Sequence, residues 1–123
     1  MTLHAFEVWF KGWEHERSIV NHESLGKARA EVWRRSRDCA PSDLRFVDVR
    51  GRKLGPPHDT ATLRHVQEYR GRPDLVAGTR VRVRGSTHGD GRIVDAGAGC
   101  NFLVHHEDGA RFFAHHLEIE VLP

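Results

Sequence analysis

Across residues 3–10, LHAFEVWF, apolar and polar positions alternate with a period of two. Successive side chains of a strand leave opposite faces, so this pattern predicts a half-buried strand. Phe6, Val8 and Phe10 form its core row; Leu3, Ala5, Glu7 and Trp9 form the other. A turn around Gly12 follows, and Arg17–His22, β-branched at its centre, reads as the hairpin partner. The period then changes. Ser24 is a good helix N-cap, although Lys27 at the third helical position offers no capping box. Leu25, Ala28 and Val32 share one helical face with Trp33 beside it, and Cys39-Ala40-Pro41 stops the helix. Leu44–Arg50, LRFVDVR, reads as a third strand ended by Gly51, Arg52 and Lys53.

Gly55-Pro56-Pro57 is the clearest break in the chain. A short helix is expected at about Thr60–Tyr69, with Leu63 and Val66 on one side and Gly71 beyond its end. From Thr79 the chain reads as five short strands cut by glycine turns: TRVRVRG, GRIVDAG, NFLVHHEDG, ARFFAHH and LEIEVL. Short, evenly spaced strands of this kind predict a small closed β-barrel. The expected fold class is α+β: an N-terminal ββαβ unit over residues 1–55, a linker with a short helix over 56–78, and a five-stranded barrel over 79–123.

Composition narrows the class. The chain has 123 residues, 38% hydrophobic and 29% charged, which is the balance of a globular protein. Two units of about 60 residues would each be marginal, so they are expected to pack together or to form a homodimer. No apolar run approaches the roughly 18 residues that span a bilayer. The N-terminus, MTLHAFEVWFKGW, lacks the basic start and small-residue site of a signal peptide, so the default expectation is cytoplasmic. Cys39 and Cys100 are then expected to stay reduced. Net charge is +2, and the basic excess sits in residues 1–55, which hold 11 Lys/Arg against 8 Asp/Glu.

Two resemblances follow from these residues. Gly78-Thr79-Arg80-Val81, Gly91-Arg92-Ile93-Val94, the hairpin Phe102-Leu103-Val104 to Glu107-Asp108-Gly109, and the closing His115-His116-Leu117-Glu118-Ile119-Glu120-Val121 resemble an SH3-like barrel of the Tudor or KOW type. That likeness covers about a third of the chain and implies a docking module whose first and last strands lie side by side. Phe6-Glu7-Val8-Trp9-Phe10-Lys11-Gly12, followed by Ser24-Leu25-Gly26-Lys27-Ala28-Arg29 and Trp33-Arg34-Arg35, is similar to small bacteriophage and prophage accessory proteins. Such proteins bind host or phage macromolecules.

Candidate chemistry is of three kinds. Trp9 and Trp13 are expected on the surface or under a partner, and tryptophan is a frequent interface anchor. With Trp33 and the helix cations Lys27, Arg29, Arg34, Arg35 and Arg37 they form the expected partner-binding surface. Arg80, Arg82 and Arg84 alternate with Val81 and Val83, a row suited to phosphates that Glu118 and Glu120 of the last strand would neutralise. The pairs His105-His106 and His115-His116 flank one hairpin and suggest facing metal ligands, but no zinc-ligand spacing accompanies them. No nucleophile elbow, phosphate loop or other catalytic constellation is present in the sequence, so no enzyme, metal or cofactor is expected. The leading expectation is a non-catalytic protein that binds, and inhibits, a host protein complex such as a defence system, in the manner of an anti-CRISPR. The alternative is a nucleic-acid-binding module using the basic helix with Arg80, Arg82 and Arg84. A metal-dependent hydrolase built on the histidine pairs is the third reading.

Overall fold

A computed structural model describes residues 2–36 and 44–123. Among these the protein is α+β, with two α-helices and eight strands in two sheets. It divides into two compact units, Met1–His58 and Asp59–Pro123. No helix among the described residues is long and apolar enough to cross a membrane.

The first unit holds β1 (His4–Phe10), β2 (Ser18–His22), α1 (Leu25–Ser36) and β3 (Val49–Gly55). Its sheet order is β2-β1-β3, antiparallel throughout, with Phe6 opposite Val20 and Lys53. The alternation of β1 is realised: Phe6 and Val8 are buried and pack with Val20, Ala28, Val32 and Val49, and Phe10, Leu25 and Trp33 close this core. Ser24 caps α1, since its Oγ accepts from Lys27 N at 3.2 Å and its carbonyl from Ala28 N. The second face of β1 is not uniformly open, because Leu3 and Ala5 are buried while Glu7 and Trp9 are only partly so.

The third strand differs from the expectation. Phe46–Asp48 forms a turn of 3-10 helix, and β3 begins only at Val49 and runs on through Gly51, Arg52 and Lys53. The Asp48 carboxylate accepts the Arg45 N–H at 2.8 Å and the Asp48 N–H donates to the Arg45 carbonyl, which closes the turn locally. Gly51 does not end the strand, because it is required inside it. A Cβ there would lie 2.8 Å from Leu25 Cδ1 and 3.1 Å from the Glu7 carbonyl oxygen.

The second unit begins with α2 (Ala61–Arg70), capped by Thr60, whose Oγ1 accepts from Leu63 N, and ended by Gly71 at φ 65°. Five strands follow: β4 (Arg80–Val83), β5 (Gly91–Gly97), β6 (Asn101–His106), β7 (Arg111–Ala114) and β8 (Ile119–Val121), in sheet order β7-β6-β5-β4-β8. Each falls within one of the five segments that glycine turns mark off in the sequence. The helix expected within a linker belongs to this core: Leu63, Val66 and Leu75 are fully buried with Val81, Ile93, Phe102 and Val104. Polar ties hold the connection. Asp59 accepts from Ala77 N at 2.8 Å, Gln67 donates to the Leu75 carbonyl, and Thr60 Oγ1 donates to Asp95 at 2.5 Å. Arg72 forks onto Asp74 and donates to the His116 and Ile119 carbonyls, joining this loop to the start of β8.

Candidate functional site: a tryptophan-rimmed groove

The site grows out of the β1–β2 connection. Trp13 N donates to the Phe10 carbonyl and Glu16 N to the Trp13 carbonyl, a double turn that Gly12 enters at φ 87°. Glu14 knits it further, accepting from Gly12 N at 3.1 Å and offering its carbonyl to Arg17 Nε at 2.7 Å. Contacts to its own N–H and to Gly12 N hold the Glu14 carboxyl below its usual range. The turn leaves Trp13 41% exposed and returns Arg17 over the ring of Trp9, 4.0 Å from its centroid.

Beside this turn lies an open groove of about 490 Å³. Val8 and Val32 supply buried lining, Phe10 and Leu44 extend the apolar wall, and Trp9, Trp13, His15 and Arg17 supply the polar and aromatic side. The volume falls within the range of small recognition pockets. Next to it, Glu7 is held between Arg52 at 2.7 Å and Arg17 at 3.4 Å. The Arg52 hydrogen bond, reinforced by the charges of Arg52 and Arg17, keeps its carboxyl below the ordinary value. That trio fixes the Arg17 guanidinium above Trp9, and so sets one side of the groove.

The expected partner-binding residues are only partly brought together. Trp9 and Trp13 line the groove. Trp33 packs into the core rim, with its ring 6.2 Å from Phe10 and 6.4 Å from Phe46. Several helix cations already have partners: Lys27 pairs with Glu23 at 3.2 Å, Arg35 with Glu31 at 3.3 Å, and Arg29 donates to the Val49 carbonyl while stacking on Phe46. Arg34 is exposed. Arg37 and Cys39 lie outside the described residues.

In the second unit, β4 pairs with β8 and sets Arg82 opposite Glu120, but the carboxylate that meets Arg80 and Arg82 is Asp90, at 3.8 and 3.2 Å. Arg84 is exposed, and its N–H donates to the Glu118 carbonyl. The histidine pairs do not face each other. The β6–β7 register sets His105 opposite Arg111 and Phe102 opposite Ala114, so His115 and His116 leave the opposite end of the hairpin. His106 Nδ1 lies 3.0 Å from the Gly89 carbonyl, and His88 Nδ1 lies 2.6 Å from Asp108. Among the described residues, no group of three or more His, Cys, Asp or Glu could hold a metal ion.

Sequence reasoning missed Arg17, His15 and Asp90. Arg17 was within reach: the pairing of Val8 with Ser18 places residue 17 across from Trp9 one step further along the hairpin. Asp90 follows in the same way, since the pairing of Val81 with Gly91 places residue 90 across from Arg82 one step further along the ladder. No protein-family model, curated protein or solved structure matches the chain.

Proposed function

We propose that the protein is a non-catalytic binding protein that seats a protein partner on the groove of its first unit, with Trp13 as the anchor and Trp9 under Arg17 as the adjoining wall. In this reading the first unit is a ββαβ module and the second an SH3-like barrel of the Tudor or KOW type. The order β7-β6-β5-β4-β8, with the last strand paired to the first and a 3-10 turn at His116–Glu118 before it, supports the barrel assignment. The likeness of residues 4–38 to phage and prophage accessory proteins points to a host protein complex, such as a defence system, as the target that is bound and inhibited.

The observation that carries the reading is Trp13. A tryptophan 41% exposed, at the edge of a groove with apolar walls, is the kind of residue that dominates interfaces. The nucleic-acid reading has less support, since Asp90 already neutralises part of the Arg80–Arg82–Arg84 row. The test is recovery of partners from a bacterial lysate by the wild type and by Trp13→Ala, with fold checked by circular dichroism. A partner lost at least about 30-fold with the variant, the scale of a hot spot, is expected. Equal recovery of every partner by both proteins would remove the proposed surface.

A further inference from the structure

Strand β3 is an edge of the first sheet, whose order is β2-β1-β3. It reads Val-Arg-Gly-Arg-Lys-Leu-Gly, holds no acidic residue, and exposes Arg50, Arg52 and Lys53. The register places Arg50 opposite Trp9 and Arg52 opposite Glu7. Phe6 and Val8 turn towards α1, so both arginines stand on the other face of the sheet, roughly 7 Å apart along the strand. Both are held in place. Arg52 Nε donates to Glu7 at 2.7 Å, and Arg50 donates to the Val47 carbonyl. A guanidinium has five N–H groups, so each arginine keeps donors for a second carboxylate. Glu7 is shared with Arg17 and does not cancel the charge of the row.

The ladder shows which backbone groups face outward. Lys11 N donates to the Asp48 carbonyl, so 11 and 48 form a hydrogen-bonded pair, one step beyond Phe10 and Val49. Such pairs alternate along an antiparallel ladder, and the register assigns 9–50 and 7–52 to the same class. The N–H and C=O groups of Arg50 and Arg52 therefore point at β1, and those of Val49, Gly51 and Lys53 point away from it. Arg29 Nε meets the Val49 carbonyl from that side at 2.8 Å. Among the described residues, the outward groups of Gly51 and Lys53 have no hydrogen-bond partner.

We propose that β3 takes up an extended acidic segment of a protein partner as an added antiparallel strand. The segment bonds to the Gly51 and Lys53 backbones and sets carboxylates, at alternate positions, opposite Arg50 and Arg52. Charge selects this occupant. A second copy of β3 would bring arginine and lysine against arginine and lysine, which opposes self-pairing. Alternate Asp or Glu residues of an extended chain repeat at the spacing of the two arginines. A nucleic-acid backbone matches the charge but offers no N–H and C=O ladder, the part of strand addition that gives affinity. The residues opposite Arg50 and Arg52 fall in non-hydrogen-bonded pairs, where Cα atoms approach to about 4.5 Å and side chains are closest. The site is separate from the groove, since none of residues 50–53 lines it.

The probe is a short fluorescent peptide of alternating Thr and Glu, titrated with the intact chain at low salt and followed by anisotropy. Saturable binding is expected. Arg50→Gln/Arg52→Gln is expected to weaken it about tenfold, because two charge-assisted contacts go. Lys27→Gln/Arg34→Gln, which removes the same charge from α1, and Trp13→Ala are each expected to change it less than about twofold. N-methylated peptides test the backbone pairing with the protein unaltered. Methylation of the Thr nitrogens, which face Gly51 and Lys53 in this pairing, is expected to abolish binding. Methylation of the Glu nitrogens, which face away, is expected to preserve it. Absence of binding, equal loss with the two charge variants, loss with Trp13→Ala, equal loss with the two methylated peptides, or tighter binding of an oligothymidylate would overturn the proposal.

Discussion

Two glycines and one carboxylate carry more structural weight than their size suggests. Gly91 opens β5 with Val104 Cγ1 and the His105 carbonyl oxygen only 2.7 and 2.8 Å from where a Cβ would be. Backbone cannot yield as a flexible side chain can, so Gly91→Ala is expected to cost on the order of 1–3 kcal/mol, read from the denaturant midpoint. Gly51→Ala is expected to cost less, since its tightest contact is the mobile end of Leu25. Glu7 is tied to Arg52 and Arg17, and its carboxyl is depressed from an ordinary 4.5. Its contribution is present above that pH and lost as pH falls through the depressed value. His116 acts in the same sense near neutrality. Burial, then the charges of His115, Arg70 and Arg72, lowers its pKa from 6.5. The unfolded chain therefore takes up a proton that the folded chain resists, and stability falls as pH drops below about 6.5. Urea midpoints at pH 7.5 and 5.5 measure this, and His116→Asn is expected to narrow the difference.

At the scale of elements, the helices and most strands follow from local rules, and the departures have local causes. The Thr60 hydroxyl both caps α2 and donates to Asp95 of β5, so Thr60→Ala is expected to destabilise by about 0.5–2 kcal/mol, towards the upper end because two bonds go. Thr60→Ser, which keeps both bonds, is expected to stay near wild type in the same denaturation experiment. Strands β1 and β4 were legible because burial on one face imposes an alternating pattern, and the remaining strands of the second unit because glycine turns bound them. Strand β3 was not. Leu44–Arg50 alternates well enough, yet Asp48 closes a 3-10 turn there, while Val49–Gly55 carries five polar or glycine residues and pairs with β1 all the same. Partner backbone, more than residue preference, makes an edge strand of that composition. The histidine pairs failed as a site for a related reason, since which residues face across a hairpin depends on the register and not on their symmetry in the sequence.

For the whole molecule, charge is divided between the units. Residues 1–58 carry 11 Lys/Arg against 8 Asp/Glu, and residues 59–123 carry 8 against 9. A polyanion would meet a modest excess on one unit, much of it already paired. In a DNA or RNA shift assay the protein is expected to show at most weak binding at low salt that vanishes near 150 mM, because few phosphates can be neutralised. Tight binding that weakens steeply as salt rises would instead favour the arginine row. By itself the sequence determined the α+β class, the helix cap at Ser24, the core row Phe6-Val8-Phe10 and the five strands after residue 79. Each of these depends on neighbours three or four positions away, or on a single buried face. Tertiary structure alone decided that α2 joins the second core and that Trp33 is packed while Trp13 stands at a groove. Those outcomes depend on which distant segments meet, and no local pattern of residues encodes that.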